Sequence, residues 1–360
     1  MTKPDTRDGA ARPAHAPDRA TPAALGYRMP AEWHAHAATW LAWPKDPETW
    51  PERVPQAEDA FLQIMAAVAP HERVNLLVDD EAVAQGVRAR FTFPHADNVH
   101  FIRLPTVDSW IRDYGPNFVT SEARGLAYNH WVFNAWGDKY EELKRDSVIP
   151  AQLEAHLGVP RFVPGVVLEG GAIDVNGAGV VLTTEQCLLN PNRNPQLTRA
   201  EIEQYLKDYL GVEKVLWLGA GIVGDDTDGH VDDIARFVAA DVIVCALEDD
   251  PADANYELLR DNYERLRRAT DARGRAFEIV KLPMPGVVEG REGRLPASYA
   301  NFYVANGVVV VPVFGHPNDA RAVETLQRLF PTRLVTPVNA LDLVWGMGTI
   351  HCLTQQQPAA

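Results

Sequence analysis

The sequence predicts an α/β fold assembled from a repeated strand–strand–helix–strand unit, and three observations carry that prediction. Two apolar runs turn about a central Asn-Gly, at Asn176-Gly177 and Asn306-Gly307, the strongest short-range mark of a two-stranded hairpin. A third pair of apolar runs flanks Ala239-Ala240-Asp241. After each pair comes a segment with helical spacing of its apolar residues, and then one more apolar run.

Taken in order, residues 38–43 are an apolar, aromatic first strand. Residues 57–69 read as a helix, with Phe61, Ile64, Met65 and Val68 on one face, and strands follow at 74–78 and 99–104. The first clear hairpin covers 172–182. A helix over 198–210 follows it, started by Thr198 with Glu201 three residues on, the pattern of a capping box. A strand at 214–218 completes that unit. The pair 234–238 and 242–247 leads into a helix over 255–268, apolar at Tyr256, Leu259, Tyr263 and Leu266, and a strand at 277–282. The hairpin 303–311 is followed by a helix over 318–329 and a strand at 333–338. Weaker copies fit residues 117–163 and 40–104. About five units result, and closing them in a ring would let the strand around Cys352 complete the first while leaving no free sheet edge. Periodicity alone leaves an open α/β sheet as the alternative.

Composition narrows the function. The formal charge of −15 opposes nucleic acid and anionic membranes as partners and suits a cationic one. No apolar run is long enough to span a bilayer. The first 25 or so residues are rich in Ala, Pro, Asp and Arg without an apolar stretch, so they read as a disordered tail rather than a signal peptide. Three widely separated cysteines form no disulfide framework and no metal-binding pair, which points to a soluble protein of a reducing compartment, the cytoplasm.

Polar clusters recur just before, or at the start of, the first strand of successive units. They are residues 108–113, with Trp110 and Asp113; Glu169-Gly170-Gly171; residues 224–233, with His230 and Asp232; and Ser298-Tyr299-Ala300-Asn301. Cys352 holds the equivalent place in the first unit. A radial arrangement would bring Asp113, Glu169, His230, Asp232 and Cys352 to one axis. A thiol with a histidine is a nucleophile with an acid/base partner. Carboxylates beside a thiolate ordinarily raise its pKa, so several of them make sense only around a cationic substrate. A planar guanidinium fits, because carboxylates grip it through paired, charge-assisted hydrogen bonds.

Each residue also has a plainer reading. Cys245 and Cys187 read as packed core thiols; taken alone, Cys352 could be a packed thiol and His230 a satisfied structural histidine. The acids around Asp225 do not make a calcium loop: with Asp228-Gly229 at the fifth and sixth positions, Gly224 falls at the first and Ala235 at the twelfth, so a solvated acidic turn is the better account. The combination carries the weight.

These stretches, together with Met29-Pro30-Ala31-Glu32-Trp33, residues 39–44, residues 133–137, and Ile350-His351-Cys352 with Gln355-Gln356-Gln357-Pro358, resemble the agmatine deiminase family. That family includes the bacterial-type peptidyl-arginine deiminases and lies within the guanidine-modifying (pentein) superfamily. The resemblance runs from about Tyr27 to Ala360. It implies a five-bladed, pseudo-symmetric α/β propeller of ββαβ units, with residues 26–360 as one catalytic domain. It also implies hydrolysis of a small cationic guanidine without metal or organic cofactor: agmatine to N-carbamoylputrescine and ammonia, in polyamine biosynthesis. Carried over, Cys352 is the nucleophile and His230 the general acid/base. Asp113 and Asp232 bind the guanidinium, Glu169 supports His230 and the substrate, and Trp110 walls the site. A homodimer or larger homo-oligomer is implied as well. A deiminase of another guanidine, such as peptidyl-arginine, stands second; an amidinotransferase and a non-enzymatic guanidine-binding protein stand behind it. Three departures bear on the choice. Trp345, Met347 and Thr349 interrupt the usual glycine run before Cys352, His34-Ala35 replaces an acid–Pro pair, and Lys144 stands where an acid is expected.

Overall fold

The computed structural model describes residues 20–291 and 293–360. Of the expected N-terminal tail, residues 1–19 lie outside that range. Its last residues differ from expectation: Ala23–Leu25 form a 3-10 turn closed by Gly26 in the left-handed conformation, because Pro22 starts the turn and Tyr27 anchors it in the core.

The described residues form a mixed α/β architecture of five separate sheets. The first contains β1 (His36–Ala42), β2 (Arg73–Val78) and β3 (Val99–Arg103). The second contains β4 (Asn117–Ser121), β5 (Gly125–Asn129) and β6 (Arg161–Phe162), and the third β7 (Asp174–Val175), β8 (Val180–Thr184) and β9 (Lys214–Leu218). The fourth contains β10 (Ala235–Ala239), β11 (Val242–Leu247) and β12 (Glu278–Pro283); the fifth β13 (Tyr303–Val304), β14 (Val308–Val313) and β15 (Leu334–Asn339). In sheets two to five the first two strands are antiparallel and the third runs parallel to the second. The last strand, β16 (Gln355–Pro358), pairs antiparallel with β1, placing Gln355 opposite Trp40. It thereby supplies the first sheet with the strand its own stretch of chain lacks.

Local chemistry explains the elements. Thr198 and Glu201 form the full capping box at the start of the helix Arg199–Leu210. At the Asn176-Gly177 turn the Asn176 side-chain oxygen accepts from the backbone N–H of Ala178 and of Val180, while Gly177 takes a positive φ of 64°. The helix Val54–Val68 buries Phe61, Ile64, Met65 and Val68, as its spacing predicts. The helix Tyr256–Arg268 differs in part: Asn262 is buried between Leu259 and Leu266, where it accepts from the Gly219 N–H and donates to the Ala220 carbonyl. The second unit departs most. Its crossover is not one helix but a 3-10 segment, Glu142–Val148, followed by two single turns, Ile149–Gln152 and Glu154–Leu157, because Pro150 and Gly158 break the run.

Three apolar clusters pack units together rather than filling each separately. One joins the first, second, fourth and fifth units, one the second and third, and one the third and fourth. Inside them lies a charged network. Arg236 pairs with Glu32 (2.9 Å) and Asp174 (2.9 Å) and donates to the Phe302 carbonyl (2.8 Å), while Arg112 donates to Gln356 (2.6 Å). Residues from all five units thus meet at a buried centre, with every guanidinium nitrogen facing a carboxylate or carbonyl partner. No helix among the described residues is long and apolar enough to cross a membrane.

Candidate active site

The residues expected to converge do so, and each lies within five residues of the first strand of its sheet. Asp113 precedes β4, Glu169 precedes β7, His230 and Asp232 precede β10, and Cys352 precedes β16. The remaining unit contributes too: Asn301 precedes β13, and its Nδ2 lies 3.2 Å from the Cys352 Sγ. Cys352 is not on a strand but in the turn ahead of β16, where the Asn301 side-chain oxygen Oδ1 accepts from Thr349 Oγ1 (2.7 Å) and the His351 N–H (3.0 Å). The turn is therefore shaped from across the fold, by a residue that sequence reasoning placed in the right cluster but left out of the site.

Asp113 sits in the short helix Ile111–Tyr114. Its Oδ2 accepts from the Trp136 indole (2.9 Å) and its Oδ1 from the Gly171 N–H (2.9 Å), with His230 Nδ1 at 3.8 Å. Asp232 Oδ2 lies 3.7 Å from Cys352 Sγ and 2.7 Å from His351 Nδ1. Glu169 does not hydrogen-bond His230. Its Oε1 is taken by Arg193 Nε at 2.6 Å, and its Oε2 has no partner among the described residues. Both ring nitrogens of His230 and Oδ1 of Asp232 are likewise buried without a partner. Four unpartnered polar atoms in one buried place are costly unless a ligand satisfies them.

Electrostatics point the same way. Burial, then the charges of Asp232 and Glu169, push Asp113 up to about 8. Burial drives His230 down to about 3, so its imidazole is neutral in the empty site. Burial and the surrounding acids Asp232, Asp233 and Asp113 hold the Cys352 thiol well above its ordinary range. Crowded carboxyls, a protonated thiol and a neutral imidazole make up a site whose missing component is a positive charge.

That component has a way in. A cavity of about 420 Å³ reaches Asp113 and Cys352 from outside. One wall is Trp110, tethered by its indole N–H to Asp108 (2.8 Å) and tilted against Trp50. The opposite wall is Trp345, Gly346, Met347 and Gly348. The glycines are required there: a Cβ on Gly348 would stand 2.7 Å from Trp110, and one on Gly346 would stand 2.8 Å from it. Trp345 turns away beneath Arg53, 4.1 Å from its guanidinium, and Met347 takes φ 69°. The bulk in this loop lines the mouth without covering Cys352.

The mouth is acidic, with Asp46, Glu48, Glu141, Glu142 and Asp226 around it. Lys144, the residue out of keeping with the family pattern, is neutralised by Asp138 (2.9 Å) and Glu141 (2.6 Å). Lys139 is held by Asp226 and Asp228. Asp225 is not a solvated turn acid. Its two oxygens accept from Thr227, Gly229 and His230, so the carboxylate builds the turn that delivers His230.

Cys187 and Cys245 are buried, as core thiols should be. Glu169, Cys187 and His230 bring possible metal-donor atoms within 4.8 Å of one another. Arg193, bonded to Glu169, places a fixed positive charge in that group, which does not fit a divalent cation there. Sequence reasoning assigned no role to Arg193, which lies in a loop that nothing local distinguishes.

Residues 28–358 match the family model described as Porphyromonas-type peptidyl-arginine deiminase. An agmatine deiminase of Pseudomonas syringae is 40% identical over 362 residues, covering 94% of this chain and 97% of its own length. That of Stutzerimonas stutzeri is 38% identical with the same coverage. The solved structure of the agmatine deiminase of Enterococcus faecalis superposes with a TM-score of 0.89 at 36% identity, over 95% of this chain and 98% of that one.

Proposed function

This chain belongs to the Porphyromonas-type peptidyl-arginine deiminase family, and from that premise we propose that it hydrolyses agmatine to N-carbamoylputrescine and ammonia. The observation that carries the reading is the buried thiol of Cys352, set among Asp113, Asp232, Glu169 and an unpartnered neutral His230 at the end of an acid-rimmed cavity. The same reading takes the five sheets as blades of one closed, pseudo-symmetric α/β propeller from residue 26 on. The pairing of β16 with β1 and the clusters bridging neighbouring units support it.

In the mechanism, Asp113 and Asp232 bind the guanidinium nitrogens, and its charge offsets the acids that hold the thiol protonated. Trp110 confines the group laterally. Cys352 Sγ bonds to the guanidinium carbon, and the thiol proton passes to His230. His230 returns that proton to the departing nitrogen as the carbon–nitrogen bond breaks, releasing ammonia and leaving a thiouronium on Cys352. His230, neutral again, takes a proton from water as the water oxygen bonds to the same carbon. The carbon–sulfur bond then breaks as the ureido carbonyl forms; the Cys352 thiolate takes back the proton held by His230, the proton on the ureido oxygen leaves with ammonia as ammonium, and the ureido product departs. Glu169, steadied by Arg193, lies beside His230 and supports its charged form.

The rim decides among guanidines. Agmatine ends in an ammonium, which suits this mouth: Glu141, Glu142 and Asp226 are paired with Lys144, Arg145 and Lys139, while Asp46 and Glu48 have no cation partner among the described residues. Free arginine, or a peptide ending in arginine, brings a carboxylate, and Lys139, the cation among the described residues of the cavity wall, is already paired with two aspartates. Ammonia release measured side by side on agmatine, free arginine and an arginine-ending peptide tests this, and turnover of the peptide without agmatine would overturn it. Cys352→Ala should keep agmatine binding and lose ammonia release; near-normal turnover would exclude Cys352 as nucleophile. A homodimer or larger assembly in the cytoplasm is part of the proposal, and light scattering in solution tests the assembly.

A further inference from the structure

Two residues that the mechanism leaves without a task, Glu32 of the stretch Met29-Pro30-Ala31-Glu32-Trp33 and His351 beside Cys352, meet at the centre of the molecule. His351 Nδ1 lies 2.7 Å from Asp232 Oδ2, and its Nε2 lies 2.8 Å from Glu32 Oε2. All three side chains are buried. A neutral imidazole has one N–H and one lone pair, so one of its two carboxylates would face a lone pair. Donating to both carboxylates at once requires a proton on each ring nitrogen.

Glu32 is fixed in turn. Its Oε1 takes Arg236 Nη2 (2.9 Å) and the Val304 N–H (2.8 Å), and Arg112 stands 3.4 Å from its Oε2. Arg112 Nε also donates to the His351 carbonyl at 3.2 Å. The imidazole is therefore clamped at both ends and along its backbone. On the far side, His351 occupies Asp232 Oδ2 and leaves Oδ1, which has no partner among the described residues, for the substrate.

We infer that His351, braced by Glu32, is a positioning residue that holds Asp232 by one oxygen and aims its free oxygen at the guanidinium. This rests on the deiminase reading. The contrast between the two substrate-facing acids supports it. Burial alone would raise Asp232, yet it stays below the usual carboxylate range because of the hydrogen bond from His351, helped by the charge of Arg236. Asp113, Asp225, Asp233 and the Cys352 thiol also face it and oppose that effect. Asp113 lacks such a cation and is pushed to about 8. One acid is thus ready when the substrate arrives, and the other ionises as the substrate's charge enters.

The test uses the full chain in two backgrounds. In the active enzyme, ammonia release from agmatine is followed against pH for wild type, His351→Gln and Glu32→Gln. Each variant keeps a polar group in place but removes the charge. In the Cys352→Ala background, agmatine binding is measured by calorimetry with and without His351→Gln. Absent turnover in wild type would defeat the deiminase reading, whereas the calorimetric comparison judges His351 independently of turnover. The expected result is a KM raised about tenfold or more in His351→Gln, with kcat changed less, and the lower acid-side break in kcat/KM moved up by about one pH unit or more. Binding should weaken by the same factor. Glu32→Gln should move the same break in the same direction by less. Should His351→Gln fail to fold, Glu32→Gln decides alone. An unmoved acid-side break and unchanged agmatine affinity in folded variants would overturn the inference.

Discussion

Replacing Trp136 with Phe probes how the site tunes Asp113. The indole N–H donates to Asp113 Oδ2 at 2.9 Å, and Phe removes that donor while keeping a ring against Phe133, 5.2 Å away between centroids. In the wild type, Asp113 is neutral below about 8 and ionised above it. A guanidinium prefers the carboxylate, so kcat/KM should rise with pH and level off as Asp113 ionises. A hydrogen bond to a charged acceptor contributes about 1.5–3 kcal/mol. At 1.36 kcal/mol per unit, its loss moves the Asp113 limb up by about one to two pH units. The Gly171 N–H remains. At pH 8 the ionised fraction then falls from about one half to between about 1/11 and 1/101, so kcat/KM drops about five- to fifty-fold. Ammonia release from agmatine across the pH range gives the limb directly, and near-ultraviolet circular dichroism verifies the fold. A limb at the wild-type position, or a loss equal at every pH, would refute the argument that the indole tunes this carboxyl.

Two further substitutions separate stability from chemistry. Arg193→Met leaves the buried Glu169 carboxylate unpaired and should cost about 3–5 kcal/mol of folding stability, read from urea unfolding; a change under about 1 kcal/mol would mean that Glu169 is neutral in the resting protein. Gly348→Ala puts a methyl 2.7 Å from the Trp110 ring. Overpacking of that kind costs about 1–3 kcal/mol, and here it should also displace the turn holding Cys352. Thermal unfolding and kcat/KM should both fall; unchanged kcat/KM would show that the loop before Cys352 yields freely.

Much of the fold could be read in advance because its marks are local. Asn176-Gly177, Asn306-Gly307 and the Thr198–Glu201 box each act within a few residues, and each forms as expected. The second crossover could not be read, since Pro150 and Gly158 divide what length alone suggests is a helix. The candidate site was legible only through the repeat. Equivalent places in successive units put Asp113, Glu169, His230, Asp232 and Cys352 together, and the same logic applied to the cluster ending at Asn301 would have added the residue beside Cys352 Sγ. Glu32, His351 and Arg193 carry no comparable mark. Their meaning lies in contacts across 319 positions of sequence for Glu32 with His351, and 24 for Arg193 with Glu169. Lys144 shows the converse. Its charge looks wrong for a cation-binding mouth until its two acid partners are seen.

The three buried thiols have a use beyond catalysis. Cys187 follows β8 in the third unit, Cys245 lies on β11 in the fourth, and Cys352 precedes β16, which belongs to the first sheet. Cys187 and Cys245 are each shielded by a different part of the fold, so a thiol-modifying reagent can reach either only when that part opens, whereas Cys352 is reached through the cavity of the folded protein. Mass-resolved labelling in rising denaturant would therefore time the opening of the third and fourth units in one native chain, without introduced probes. If labelling of Cys187 precedes that of Cys245, the third unit comes apart before the fourth.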